Sequence, residues 1–323
     1  ARNRGLDGLG AGKGLAYDRR IHNPASLSPA PMSHNPQAAS AQDFELPGHD
    51  VLAITGRDAV AFAQAQFMND IAALGDGQWH WNGWLTAKGR VIALFALLRI
   101  DAETLWLVLP DVDATALATQ LQRFVFRSKL KLEPLADLHA VSAFAPPAAA
   151  SGAMSAVVDG GIELDMGGDG GTRRLRIATT NAASDKALVS RWRAFDLAHG
   201  LPRLDADQAE TWTPQQLSLE RLRAFSVKKG CYPGQEIVAR THFLGKVKRG
   251  LVRLQGAGVP ELAEVMDGEP VGPAAQTARP IGQLICAEAD EGLAVMPLEA
   301  GDGPFATGNL PCTRLSLLDG LAR

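Results

Sequence analysis

Residues 228–253 read KKGCYPGQEIVARTHFLGKVKRGLVR, and the chain is best understood outward from them. The stretch holds seven basic residues, Lys228, Lys229, Arg240, Lys246, Lys248, Arg249 and Arg253, against one acid, Glu236. Its local charge is therefore +6, while the whole chain of 323 residues carries −3. Such a patch suits an anionic partner: a polyglutamyl tail, a phosphate group or nucleic acid. Within it Cys231 follows Gly230 and two lysines, and nearby cations favour the reactive thiolate. Gly230 and Gly234 free the backbone for a tight turn and the close approach of a ligand, and Pro233 fixes one dihedral of that turn. Tyr232 offers a flat face and a hydroxyl. Gln235 adds an amide and Glu236 a carboxylate that is a natural partner for Lys229 or Arg240.

The pattern on either side of this stretch differs. From Gly245 onward it is all-β: short apolar strands at Val247–Leu254, Gly282–Ala287, Ala294–Pro297 and Arg314–Leu317, separated by Gly and Pro, predict a small barrel or sandwich. Before it, strands and helices mix. Val51–Ile54 reads as a strand and Asp58–Phe67 as a helix. Trp79–Leu85 reads as a strand, and Val91–Ile100 as one too continuously apolar to be half-exposed. Asp101–Glu103 turns the chain back into Thr104–Leu109. A helix over Asp111–Phe126 and a strand over Lys129–Glu133 follow. Ala145–Ala153 is a loop. Ile162–Asp165 and Leu175–Thr179 flank a Gly-rich turn and make a hairpin. Asn181–His199 is a helix closed by Gly200, and Pro214–Phe225 a shorter one. The expected class is α+β followed by a β-barrel.

Composition narrows the function. With 46% apolar and 21% charged residues the chain is an ordinary globular one, and no apolar run approaches ~18 residues, so a membrane is not an expected partner. Three cysteines without CxxC spacing argue against a disulfide scaffold or a structural zinc site. Cys286 and Cys312 fall in apolar strand patterns and read as structural. The seven histidines show neither HxxxH nor HExxH spacing, so no metal site is read. Residues 1–41, rich in Gly, Pro and Ala, are expected to be a disordered tail, and those before Met32 to be upstream material. The GLGAGKG run at Gly8–Gly14 lacks the residues a phosphate-binding loop needs. No hydrophobic run follows Arg19-Arg20, which excludes a twin-arginine signal.

Lys229–Glu236 (KGCYPGQE), followed by Val238-Ala239-Arg240, resembles the K-G-C-Y-x-G-Q-E signature of the YgfZ-type folate-binding proteins, relatives of the glycine-cleavage aminomethyltransferase (T-protein, GcvT). The resemblance extends over about residues 48–323. Ile54–Asp58, Gln64–Gln66 and Asn69-Asp70 are similar to the family's first strand–helix and N-D element. Thr86–Arg90 is similar to its AKGK/PKGR segment. Trp192 matches a tryptophan the family uses against folate, and Pro214-Gln215 matches the run leading into the signature. Two departures stand out. Ala93-Leu94 replaces the acidic pair that supplies the aminomethyltransferase's catalytic aspartate. His49 stands where the family has a tryptophan, and it too can stack.

The resemblance implies a GcvT-like ring of two α+β subdomains (residues 42–240) and a C-terminal β-barrel (residues 241–323), with folate in the central channel. It implies that tetrahydrofolate or a derivative contacts Trp192, His49, Lys229, Gly230, Tyr232, Gly234, Gln235, Glu236 and Arg240, and that Cys231 is a functional thiol. Pterin needs a flat aromatic slot, and the glutamate tail needs cations. The implied role is a monomeric, cytoplasmic bacterial accessory factor for maturation or repair of iron–sulfur client enzymes, supporting tRNA thiomethylation indirectly. Two rivals are a true folate-dependent aminomethyl- or methyltransferase, disfavoured by Ala93-Leu94, and a direct tRNA-binding protein using the basic patch.

Overall fold

The computed structural model describes residues 42–245, 247–256, 263–268 and 279–323. The expected tail, residues 1–41, and Lys246 lie outside them. The first half runs β1 (Phe44–Glu45), β2 (His49–Thr55), α1 (Ala59–Gln66), β3 (Trp79–Leu85), β4 (Val91–Asp101), β5 (Thr104–Pro110), α2 (Ala114–Gln122) and β6 (Lys131–Pro134). Apart from β1, its strands form an antiparallel sheet in the order β3-β4-β5-β2-β6. The continuous apolar run of β4 has a physical reason. Ala93, Phe95 and Leu97 face one core with α1 and α2, while Leu94, Ala96 and Leu98 face a second core shared with the rest of the molecule. A strand buried on both faces cannot alternate with polar residues.

The second half contributes β7 (His139–Ala143), β8 (Ala156–Val158), β9 (Gly161–Asp165), β10 (Arg174–Ala178) and α3 (Lys186–Ala198). Its sheet has the order β1-β7-β10-β9-β8, so β1 crosses over from the first half. The expected hairpin is there: β9 and β10 pair antiparallel with Asp165 opposite Arg174. Helix α3 starts later than Asn181 because the Asp185 carboxylate accepts from the N–H groups of Ala187 and Leu188 and caps it there. A short helix α4 (Gln235–Leu244) precedes the barrel strands β11 (Arg249–Gln255), β12 (Glu264–Asp267), β13 (Arg279–Glu288), β14 (Glu291–Pro297), β15 (Phe305–Thr307) and β16 (Leu310–Leu315). These close in the order β11-β14-β13-β12-β15-β16, with β11 pairing β16. Val252, Leu254, Leu284, Met296, Phe305 and Cys312 fill the barrel.

Two further elements differ from the sequence expectation. Pro214–Phe225 is a series of turns, because Ser218 (φ 48°) and Arg223 (φ 54°) adopt the left-handed region that interrupts a helix. Both have tertiary reasons: the Ser218 hydroxyl accepts from Leu251 N–H on β11, and the Arg223 carbonyl accepts from Asn69. Helix α4 follows the expected Gly230–Gly234 turn and had no counterpart in the sequence expectation. Its Glu236 in the first turn and His242 in the last suit the helix dipole.

After β16 the chain leaves the barrel and returns to the α+β halves. Leu318 N–H bonds the Ala198 carbonyl, the buried Leu321 offers its carbonyl to the Trp81 indole, and the Arg323 guanidinium reaches the carbonyls of Asp165 and Gly167. Among the described residues no helix is long and apolar enough to cross a membrane.

Candidate functional site

The signature loop is built around one buried ammonium. Lys229 Nζ donates to the carbonyls of Gln64 (2.6 Å), Phe67 (2.5 Å) and Asn69 (3.0 Å), where α1 ends. A helix C-terminus leaves carbonyls without intrahelical donors and carries partial negative charge, which a cation satisfies. Burial pulls the Lys229 pKa down to about 8, with the Asp70 charge opposing the shift. The ammonium also lies 4.9 Å from the centre of the Tyr232 ring. Tyr232 is buried, its hydroxyl donates to the Ser226 carbonyl at 3.1 Å, and burial pushes its pKa up to about 12. Gln235 Nε2 donates to the Lys229 carbonyl at 3.2 Å and closes the loop.

Gly234 has φ +78° and opens α4. A Cβ there would lie 2.6 Å from Gly89 Cα and the Thr86 carbonyl, so the Thr86–Arg90 turn packs directly on the loop. Gln215 Nε2 donates to the Val238 carbonyl at 2.9 Å. The Asn69 amide donates to the carbonyls of Trp81 (2.9 Å) and Arg223 (2.7 Å). The N-D element, the Thr86–Arg90 turn, the Pro214-Gln215 run and the signature thus meet in one place. Cys231 is exposed at the surface of this construction, beside Gly230, whose surroundings are open.

The six described basic residues of the stretch do not share one face. Lys229 is internal. Arg249 bonds the carbonyls of Ile281 and Val295, and Arg253 pairs with Glu291 at 2.7 Å, both within the barrel. Arg240 pairs with Glu236 at 2.7 Å across one exposed helical turn. Of the described six, Lys228 and Lys248 are exposed without an ion pair. Alternation along β11 and capping of α1 consume charges that a linear count adds together.

Trp192 and His49 meet elsewhere, Trp192 buried and His49 half-buried at the start of β2. With Trp81, Met166 and Arg203 they border a cavity of about 20 Å³, about the room of one water. It shares Leu201 and Arg203 with a cleft of about 160 Å³ lined also by Asp111, Arg193, Cys286 and Glu288. Trp192 is fully buried on α3, in edge contact with Phe44 and Phe144. The Arg173 guanidinium stacks 4.0 Å from the Trp192 ring and 4.0 Å from Phe195, and pairs with Asp196 at 2.5 Å. Arg203 forms a two-pronged pair with Asp111 and lies 3.7 Å from Asp196. Burial works against the Arg203 charge, but the hydrogen bond to Asp111 and the charges of Asp111 and Asp196 hold its pKa above the usual value. Burial, followed by the Arg203 charge, lowers the His49 pKa to about 3, so His49 is neutral at physiological pH.

Of the expected contacts, then, His49 and Trp192 line the small cavity, whereas Lys229, Gly230, Tyr232, Gly234, Gln235, Glu236 and Arg240 belong to the signature loop and α4. Trp81, Arg203 and Asp111 were not singled out as site residues. The Trp79-His80-Trp81 run was a usable signal for the first, and nothing local marks the other two.

Two packed α+β halves followed by a closed barrel make up an aminomethyltransferase-like fold. The structure superposes on the glycine cleavage system aminomethyltransferase T from Bartonella henselae with a TM-score of 0.65, covering 85% of this chain and 84% of that one at 14% identity. No family model matches the sequence. The chain is 32% identical over 233 residues to the tRNA-modifying protein YgfZ of Cronobacter sakazakii (strain ATCC BAA-894), covering 65% of this chain and 70% of that protein. The chain belongs to the YgfZ family.

Proposed function

We propose that the chain is a tetrahydrofolate-binding accessory factor for the maturation or repair of iron–sulfur enzymes, and through them for tRNA modification, working in the bacterial cytoplasm. The observation that carries this reading is the convergence of Trp192, Trp81, His49 and two arginines on one cavity and its adjoining cleft. Flat aromatic walls suit a pterin. The Arg193 guanidinium, which has no ion-pair partner among the described residues, suits a glutamate tail at the cleft mouth. The residue types therefore suit a folate, although the cavity as it stands has room for about one water and not for a pterin. A reduced folate supplies one-carbon or electron-rich pterin chemistry when bound.

The chain's own part is to bind and orient. Neutral His49 stacks without adding charge, and Arg203, fixed by Asp111 and Asp196, separates the cavity from the cleft. Since the cavity admits about one water, the pterin takes its place only when the Leu201–Arg203 wall gives way. Ala93 and Leu94 are buried and apolar, so no carboxylate stands there to assist methylene transfer. That favours an accessory role over a transferase. Cys231, exposed on a loop anchored from below, presents a thiol to a client protein.

The test is a titration with tetrahydrofolate followed by tryptophan fluorescence. The natural protein is expected to bind, Arg193→Glu to bind at least about tenfold more weakly, as for loss of one charge-assisted contact, and Trp192→Ala to lose the signal. Arg193 is half-exposed, so its variant keeps the fold where Trp192→Ala fails. Unchanged affinity in Arg193→Glu sinks the placement. Full rescue of a null strain's iron–sulfur enzyme activity by Cys231→Ala sinks the role of the thiol.

A further inference from the structure

The run after α2, Arg123-Phe124-Val125-Phe126-Arg127-Ser128-Lys129, has a character that the reading above does not use. Phe126 is 89% exposed and Phe124 39%, and Arg123, Arg127 and Lys129 are exposed without an ion pair among the described residues. Along the sequence no acidic residue occurs between Asp113 and Glu133; in space the Asp58 carboxylate accepts from the Lys129 N–H and Glu210 lines the adjoining pocket, which leaves Arg123 and Arg127 as the cations with no carboxylate bonded to them among the described residues. A globular surface rarely presents two phenylalanines among free cations.

Behind Phe124 lies a pocket of about 480 Å³, within the ~300–1,000 Å³ range of small-ligand sites. Trp84, Ile92, Phe124 and Pro233 form its apolar walls, and Gln120, Arg123 and Glu210 add polar groups. Phe124 meets Trp84 edge-on at 5.8 Å. Trp84 is 4% exposed, and its indole N–H has no hydrogen-bond partner. A buried donor without an acceptor is costly and points to a ligand that supplies one. Pro233 belongs to the signature loop, two residues from Cys231.

We infer that this face binds an unpaired RNA segment, seating one base in the pocket behind Phe124 and running its phosphates over Arg123, Arg127 and Lys129. A base has a flat face for aromatic stacking and ring acceptors for an indole N–H, and the flanking cations answer the backbone charge. An apolar peptide would fill the walls but leave these cations unanswered. The choice of RNA over DNA rests on the tRNA-modification reading. The basic stretch at 228–253 is not the footprint, because most of its charges are internal or paired. A base so placed lies beside the Cys231 loop.

The test uses the full chain and a fluorescently labelled unpaired RNA of about ten nucleotides, within the range single-strand sites cover. Anisotropy is read at several salt concentrations between about 50 and 200 mM. Binding is expected to weaken about tenfold in Phe126→Ala, as for loss of one stacking platform. Arg123→Ala with Arg127→Ala is expected to lower the log–log salt slope by about 1.4, two single-strand phosphate contacts. Phe126 and both arginines are exposed, so these variants fold; an unchanged near-UV spectrum verifies it. Absence of binding at low salt, equal binding by the variants, or equal affinity for duplex RNA or for DNA of the same sequence overturns the inference. Tetrahydrofolate titration of the same variants is expected to be unaltered, which separates failure of this face from failure of the folate site.

Discussion

Lys229 under the signature loop and Arg173 beneath Trp192 are both buried cations, held in opposite ways. Lys229 is answered by three carbonyls at the end of α1, with no carboxylate in contact. Arg173 belongs to a chain of formal charges running through Asp196 and Arg203 to Asp111. Carbonyl dipoles compensate a buried charge only in part, and the lowered Lys229 pKa expresses that deficit. A paired network is nearly neutral as a whole but fails badly when one member is removed. Burial lowers both pKa values, but the loop is held by an ammonium brought to about 8 and the interior by a guanidinium that keeps its proton.

Removing a carboxylate from the interior should have the largest effect. Asp196→Asn leaves Arg173 uncompensated and is expected to cost about 3–5 kcal/mol in urea unfolding; a loss under about 1 kcal/mol would mean the network is not structural. Lys229→Met strands three carbonyls and is expected to cost about 2–3 kcal/mol. Hydrogen exchange should rise selectively in the last turn of α1, and uniform protection would contradict the capping role. The next effect is on pH. Burial lowers His49 to about 3 and His80 to about 4, the latter helped by the Lys229 charge, against 6.5 for both when unfolded. The unfolded chain therefore takes up protons below pH 6.5 that the folded chain refuses, and stability should fall as pH drops from 6.5 toward 4. His80→Gln should flatten part of that slope in melting temperature against pH. Smallest of all, Arg240→Ala breaks only an exposed helical pair and should change stability by less than about 0.5 kcal/mol.

Most of the fold was legible because its signals are periodic. The doubly buried β4, the β9–β10 hairpin and the spaced barrel strands each announce themselves within a few residues. The Pro214–Phe225 helix failed because Ser218 is claimed by β11, a strand some thirty residues later. Helix α4 escaped notice because only Val238 on it is buried, which leaves no apolar face to detect. At the site, the signature was plain, but the linear charge count was misleading. Sequence adjacency cannot distinguish a lysine turned inward onto α1 from one facing solvent. Arg203 and Asp111 carry no local mark at all, since their pairing joins the end of β5 to the segment after α3.

The returning segment 317–323 sets an order on synthesis. It fixes Trp81 and braces the β9–β10 turn, both made much earlier, yet it follows the barrel along the chain. A ribosome must therefore pass through every barrel strand before the wall of the aromatic cavity can be finished. Until then the two α+β halves lack the Leu321 and Arg323 contacts to that wall and stand on their own local stability. Loss of residues 317–323 would therefore act on Trp81 and the β9–β10 turn, which lie far earlier in the chain.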